Sequence, residues 1–541
     1  TTAGTGLKAA LKLSGWGGTV SSAAYAITAV APAQINSTIA VDNTTYTAGG
    51  DIKVTVILRD AGNNPVNGAA ASLTSGSVTI PNAAMKSGSW MDNGDGTYTG
   101  IYTATTAGTG LKAALKLSGW GGTVTSAAYA ITAAVPAEAN SAIAVDNTTY
   151  IAGSDIRVTV TLKDAGNNPV TGAAASLTSG SVTVPNAVLK SGSWTDNNDG
   201  TYVATYTANA AGTGLKATLQ LSSWASSNVS PQYSIVAGPP VQANSSIITD
   251  LSAYIGGNNI KITVTLRDVA GNAVSGASSS LNTGTVVVPN ATSTGNWADN
   301  GDGSYFATYI SVNSAASGLI ATLKLSDWNG SAESATYTTT PAVVKDLRVG
   351  RATYSKESGF PSTGFKGAEF EIELSNNNAS YFSWTSDAPW VSVSNIGYVT
   401  FNGAGNSSKV TVTGIPKNGG DRVTFAFTLN SWFISGTNVT FAEASTYCSS
   451  QAGYSLPTVQ QLNGSTSDSN GIPGVIGGLW SEWGDMTRFP GSEFFESEYW
   501  SSEQGIDGDG NPFVRFVNLV NGRSNRVYGS GTYEVVCRSS L

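Results

Sequence analysis

The sequence predicts a mostly β protein: tandem β-sandwiches strung in a rod, closed by a smaller α+β unit at the C-terminal end. Three observations carry this. A repeat of roughly one hundred residues, the size of an immunoglobulin-type sandwich, runs through the first part of the chain. Apolar residues alternate with polar ones over short stretches bounded by turn residues, the period of half-buried strands. From about residue 435 the composition shifts, and the one convincing helical pattern occurs there.

The repeat sets the ruler. Trp16, Trp120, Trp224 and Trp328 stand 104 residues apart (120 − 16, 224 − 120, 328 − 224). Thr1–Ala29 and Thr105–Ala133 differ only where Thr125 replaces Ser21. A second landmark, D-N-x-D-G-[TS]-Y, occurs at Asp92–Tyr98, Asp196–Tyr202 and Asp299–Tyr305. A third is D-A-G-N at Asp60–Asn63 and Asp164–Asn167, with D-V-A-G-N at Asp268–Asn272. Within each period strands are legible: Ile52, Val54, Val56 and Leu58 alternate with polar neighbours, as do Leu111, Ala113, Leu115 and Leu117. Asn, Gly and Pro between them supply the left-handed or fixed φ that tight turns need. The ruler gives whole repeats at 32–135, 136–239 and 240–341. Residues 1–31 are then the last third of another repeat, without the partners to close a core, so the chain reads as truncated at its N-terminus. The recurring Trp is expected to plug a sandwich core. The D-N-x-D-G loops are read as hairpin turns rather than calcium loops, because no acid follows at a fixed spacing to complete a coordination shell.

Composition removes whole classes of function. The 541 residues include no His and two Cys. That excludes Ser-His-Asp or Cys-His catalysis, His-containing zinc sites and Cys-rich metal sites. The net charge of −8 argues against a nucleic-acid partner, which would want a basic face. No apolar run reaches the ~18 residues of a membrane-spanning helix. Glu493, Glu496 and Glu498 are close in sequence, but carboxylates on such a segment are read as solvated charge, so no catalytic residue, cofactor or metal is assigned.

After Pro341 the period is lost. Residues 342–434 still read as strands, at Glu369–Leu374, Lys409–Gly414 and Arg422–Leu429, with a turn at Pro416, Gly419 and Gly420. Residues 435–541 hold both cysteines and 14 of the 49 aromatic residues, and no Lys follows Lys417. Thr440-x-x-Glu443 is a capping box, and Phe441, Ala444 and Cys448 follow on one helical stripe. Gly453 is placed as the C′ glycine of that helix. Thr458-x-x-Gln461 marks a second, shorter helix.

These motifs resemble known families. The turn-and-strand signature Asp92–Tyr102, Asp196–Tyr206 and Asp299–Tyr309, with the preceding D-x-x-G-N turn, resembles the group 1 bacterial immunoglobulin-like domain. Ser383–Phe401 resembles the group 2 domain. The helix Thr440–Thr458, the Y-W-S-S of Tyr499–Ser502 and the strand Tyr533–Cys537 resemble the C-type lectin-like domain. That fold implies a disulfide between Cys448 and Cys537, joining first helix to last strand, and hence an oxidising compartment. Taken in this order, the chain is similar to the exported passenger of intimin/invasin adhesins. The resemblance implies display on the outer surface of a Gram-negative bacterium, with membrane contact only through an N-terminal β-barrel outside this chain. It also implies a tip that binds a host protein, cell-bound or secreted. Sugar-binding lectins of this fold use E-P-N or Q-P-D with W-N-D, none of which occurs here, and Asp507–Pro512 lacks the glycine and acid of a calcium loop. Binding is therefore expected without calcium. The aromatic-acidic segment Leu479–Trp500 is read as a long irregular loop, and loops carry function on rigid scaffolds. Trp480, Trp483, Arg488, Phe489, Phe494 and Phe495 are its candidate partner contacts, with Arg515, Arg523 and Arg526 a second group. Trp500 is expected in the core. A structural spacer or self-associating adhesin, and a glycan-binding lectin, are the alternative readings.

Overall fold

A computed structural model describes residues 2–86, 88–190, 192–466 and 469–541. It divides into two compact units, Thr1–Gly238 and Pro239–Leu541.

In the first unit the repeats of 104 residues are two copies of one architecture. In the second copy, Ala142–Val145, Asp155–Thr161, Thr201–Ala208 and Ala187–Leu189 form one antiparallel sheet, with Ile156 opposite Tyr206. Facing it, Thr149–Ile151 runs parallel to Tyr233–Val236, which pairs with Gly212–Leu215. A third small sheet joins Val182–Thr183, Thr218–Leu219 and Asn228–Val229. Strict alternation puts Ile156, Val158, Val160, Tyr202, Tyr206 and Trp194 inward, where they meet Leu219, Tyr233 and Ile235. The Tyr202 hydroxyl donates to the Val170 carbonyl, so the buried ring leaves no orphan oxygen. In the D-N-x-D-G turns each acid is used by backbone: Asp196 accepts from the Asn198 and Gly172 N–H groups, and Asp199 from Thr201.

Residues 2–31 form two short pairings, Gly4–Leu7 with Tyr25–Ile27 and Ala10–Leu11 with Val20–Ser21. Their sequence is that of 105–133, yet their burial is opposite. Leu11 is 53% and Tyr25 48% exposed, whereas the equivalent Leu115 and Tyr129 are 0% and 2%. Leu115 pairs with Val78, and Tyr129 meets the Tyr46 ring edge-on. Among the described residues no such partners face residues 2–31. The repeated Trp is buried in the core as Trp224, but half-buried as Trp120 and exposed as Trp16. Its indole N–H has a further use: Trp120 donates to the Pro32 carbonyl and Trp224 to that of Pro136, pinning the segment that leads into each repeat.

In the second unit the third repeat keeps the same sheets, and a further sandwich follows. Its larger sheet orders Ala352–Ser355, Val344–Val349, Glu369–Leu374, Tyr398–Phe401 and Val391–Val393. Its smaller one orders Phe382–Ser386, Val410–Pro416 and Val423–Phe427. The core runs on past residue 434. Ser431–Ser435 pairs antiparallel with Val536–Ser540, the last strand of the chain, and parallel with Thr363–Phe365. One hydrophobic core holds Phe365, Phe370, Phe401 and Trp432 together with Leu462, Trp483, Phe489 and Tyr499.

Among the described residues, three α-helices lie in the C-terminal part: α1 (Phe441–Ser450), α2 (Val459–Asn463) and α3 (Leu479–Trp483). Both capping boxes form. Glu443 accepts from the Thr440 N–H, and Thr458 and Gln461 bond reciprocally. Helix α1 ends at Ser450 with Gln451 extended, so Gly453, although left-handed at φ 85°, lies beyond the C′ position. Helix α3 occupies a stretch the sequence presents as irregular loop.

Candidate partner-binding surface

The C-terminal scaffold is held from several directions. Ala444 and Cys448 face inward from α1, and Cys448 is bonded to Cys537 of the last strand. Trp500 is fully buried; its indole N–H donates to the Val439 carbonyl, and its ring meets Phe441 and Tyr533 edge-on.

Most of the residues expected to meet a partner are spent on this scaffold. Trp480, Trp483, Phe489 and Phe494 are buried. Trp483, Phe489 and Phe494 surround Phe365, at ring separations of 5.3, 5.1 and 5.4 Å. Trp480 donates to the Val520 carbonyl and fills the space that side chains at Gly471 and Gly522 would need. Trp483, Phe489 and Phe494 join the C-terminal part to the sandwich, and Trp480 packs within the C-terminal part, so none of the four is offered to a partner. Helix α3 is buried along its whole length, from Leu479 to Trp483, so neither Trp480 nor Trp483 reaches the surface.

Between them sits Glu482, fully buried. Its carboxylate accepts from the N–H groups of Ser362, Thr363 and Gly477 and from the Thr363 hydroxyl, at 2.7 to 3.0 Å. Burial pushes its carboxyl pKa up, and these four donors pull it back toward the ionised form. Three of the partners are backbone N–H groups, which can only donate, so the acceptor-only carboxylate fits best. Glu482→Gln, which turns an amide N–H₂ toward donors, is expected to cost about 1–3 kcal/mol, read as a lowered urea midpoint. An unchanged midpoint would mean that the carboxyl is held protonated.

The Arg group divides. Arg515 is buried because it shares the inward face of its strand, Pro512–Asn518, with Phe513 and Val517. It makes an ion pair with Glu503 at 3.6 Å. Arg523 and Arg526 are exposed. The Arg515 and Arg526 guanidinium groups both lie over the Phe513 ring, 5.1 and 4.6 Å from its centre. Arg488 is exposed and set apart, its guanidinium against Gly350 in a cleft of about 490 Å³ beside Arg348, Glu371 and Tyr398.

Of the aromatic residues expected to meet a partner, Phe495 faces outward, and two residues outside that set join it. Phe495 is 60% exposed, Ile506 72% and Tyr528 53%. Ile506 ends the strand Glu498–Ile506, which pairs with Pro512–Asn518 and through it with Ser524–Val527. Ile506, Pro512, Phe513, Val514 and Val527 line an open cavity of about 390 Å³ on this sheet, and the Tyr528 ring stands 6.3 Å from that of Phe513. Beside it the Asp507 loop closes on itself. The Asp507 carboxylate accepts from the N–H groups of Asp509 and Asn511, and the Asn511 N–H holds it below the usual carboxylate range. Sequence reasoning passed over Ile506 and Tyr528. The available signal was a large apolar residue directly before an acidic, glycine-rich turn, where exposure is the rule.

Comparisons with known proteins agree with this architecture. Residues 137–237 match the family model described as invasin, domain 3, and residues 345–427 that described as invasin, domain 4. Over 362 residues, 63% of this chain, the sequence is 29% identical to the inverse autotransporter adhesin YeeJ of Escherichia coli (strain K12), 14% of which is aligned. It is 29% identical over 170 residues, 30% of this chain, to the invasin of Yersinia enterocolitica, 20% of which is aligned. The alignments thus span a fifth or less of either relative's length. The crystal structure of invasin, a bacterial integrin-binding protein, is 22% identical. It covers 93% of this chain and 100% of its own, with a TM-score of 0.35.

Proposed function

We propose that this chain is an adhesin of the invasin/intimin family whose repeats form a stalk presenting residues 435–541 to a host protein. The segments 1–31, 32–135, 136–239, 240–341, 342–434 and 435–541 are the domains of that design. The stalk stands on the outer membrane of a Gram-negative cell, and the role is non-enzymatic. The supporting observation is the open apolar cavity at Ile506, Phe513 and Tyr528. It is an open surface on the three-stranded sheet that also carries Trp500, with Ile506 and Tyr528 exposed at its edge, and exposed apolar patches of this kind mark interaction sites. Arg523 and Arg526 add a polar rim suited to a partner's carboxylates. Binding proceeds without calcium in this reading, and in the acidic loop beside the cavity Asp507 Oδ1 is taken up by the Asp509 and Asn511 N–H groups.

The test uses the whole chain. Ile506→Ser with Tyr528→Ala is expected to weaken binding to host cells or to a captured host protein by about tenfold or more, or ~1.4 kcal/mol. Melting should be unchanged, and a chelator should have no effect. Unchanged affinity in a folded double variant would place the contact elsewhere, and loss on chelation would overturn the calcium-free reading.

A further inference from the structure

The D-A-G-N turns do more than reverse the chain. In the first unit, the turn Asp164–Asn168 grips the repeat before it. Asp164 is fully buried and Asn168 nearly so. Asn168 Oδ1 accepts from the Ala107 N–H at 2.9 Å, and Asn168 Nδ2 donates to the Thr105 carbonyl at 3.0 Å. Asp164 Oδ2 accepts from the N–H of Ala134, in the connecting segment, at 2.9 Å. The two side chains fix each other, Asn168 Nδ2 lying 2.9 and 3.1 Å from the carboxylate oxygens. Asn167 at φ 64° closes the turn, and Gly166 brings it so near that a Cβ would stand 3.3 Å from the Thr105 carbonyl oxygen.

The same grip recurs one period earlier. Asn64 Oδ1 accepts from the Ala3 N–H at 2.6 Å and Asp60 Oδ2 from the Val30 N–H at 3.3 Å. Every group taken from the upstream repeat is backbone. Val30 in one joint stands where Ala134 stands in the other, and the bonds are alike.

At the end of the series the joint is of another kind. In the second unit the third repeat meets the sandwich through its own side chain. Asn313, fully buried, donates from Nδ2 to the Asp421 carbonyl at 2.6 Å and accepts at Oδ1 from the Ala342 N–H at 2.7 Å. In return Asn376 donates to the Gly256 carbonyl at 2.7 Å. A Cβ on Gly256 would lie 2.3 Å from Asn313 Oδ1. Only the third repeat carries both Asn313 and Gly256; the equivalent positions are Thr106 with Ala48 and Ala210 with Ala152.

We infer that the D-x-x-x-N turn is a backbone-reading clamp that seats one repeat on the repeat before it whatever that repeat's side chains are. The Asn313 joint is a matched terminator that ends the series. This goes beyond adhesion and holds for any partner of the tip. It supplies a physical reason why copies can be added or removed without redesigning a joint: buried backbone N–H and C=O groups must be paired, and every copy offers the same ones.

The experiment places spin labels at Lys53→Cys and Arg157→Cys in the whole chain, whose two native cysteines are bonded to each other. Distances between the labels are read by pulsed electron spin resonance. The parent is expected to give one narrow distribution. Asn168→Ala should broaden it about twofold or more. Ala107→Pro, which deletes the N–H the clamp reads and leaves the second repeat unaltered, should do the same. Thr105→Val, which changes only an upstream side chain, should leave the width as it is. The clamp is overturned if neither Asn168→Ala nor Ala107→Pro broadens the distribution, or if Thr105→Val broadens it equally.

Discussion

Trp483→Ala is expected to destabilise the sandwich and the C-terminal unit together, by about 3–5 kcal/mol, with the repeats unaffected. The indole is 3% exposed. It touches rings from both sides of the junction: Phe360, Phe365 and Phe401 at 5.1, 5.3 and 5.8 Å, and Phe489 at 5.8 Å. Its N–H donates to the Thr363 hydroxyl and carbonyl, so truncation also strips a partner from a strand that no water reaches. Thr363 belongs to the strand paired with Ser431–Ser435, which is paired in turn with the last strand of the chain. A cavity there faces both halves of one core. The measurement is calorimetry of the whole chain: one transition should move down while that of the repeats stays. Two separately moving transitions for residues 342–434 and 435–541 would contradict a shared core. The same variant bears on binding. Affinity should fall only as far as the folded fraction falls, because Trp483 offers no surface to a partner.

The repeats were legible because what makes them is local. Ile52, Val54, Val56 and Leu58 alternate along one stretch of chain, and the turns that bound it carry their own conformational signal in Gly49 and Asn63, both left-handed. The capping boxes of α1 and α2 were legible for the same reason. The segment Leu479–Trp500 was not. Trp483, Phe489 and Phe494 are buried against Phe365, more than a hundred positions upstream, and nothing in a stretch mixing Trp, Phe and Glu says which side of it faces the core. Glu482 shows the difficulty best: a carboxylate is ordinarily exposed, and this one is inside only because two backbone N–H groups from the sandwich converge on it. Arg515 was readable in principle, since strand period sets it on the same face as Phe513 and Val517. Ile506 and Tyr528 escaped because attention to aromatic density favours the buried cluster over two scattered exposed side chains.

Removing the Cys448–Cys537 bond is expected to have a comparable effect by a different route. The bond closes a loop across a sequence separation of 89. In the chain-entropy account such a closure is worth about 4–5 kcal/mol through the unfolded state. For a unit of about 200 residues that corresponds to a fall of roughly 10–15 °C in melting temperature. The cysteines are both fully buried, so the double variant Cys448→Ala, Cys537→Ala is a cleaner probe than a reductant that must first gain access. The strand carrying Cys537 is the one paired with Ser431–Ser435. Loosening it should therefore lower the sandwich as well as residues 435–541, in a single transition, while the melting of residues 32–341 stays put. The contrast with Trp483→Ala lies in where the loss arises. The disulfide variant keeps its native contacts, so at low temperature it should bind its partner as the parent does and lose binding only as it melts. A variant that fails to bind while still folded would show that the bond also shapes the surface around Ile506, and not only the unfolded chain.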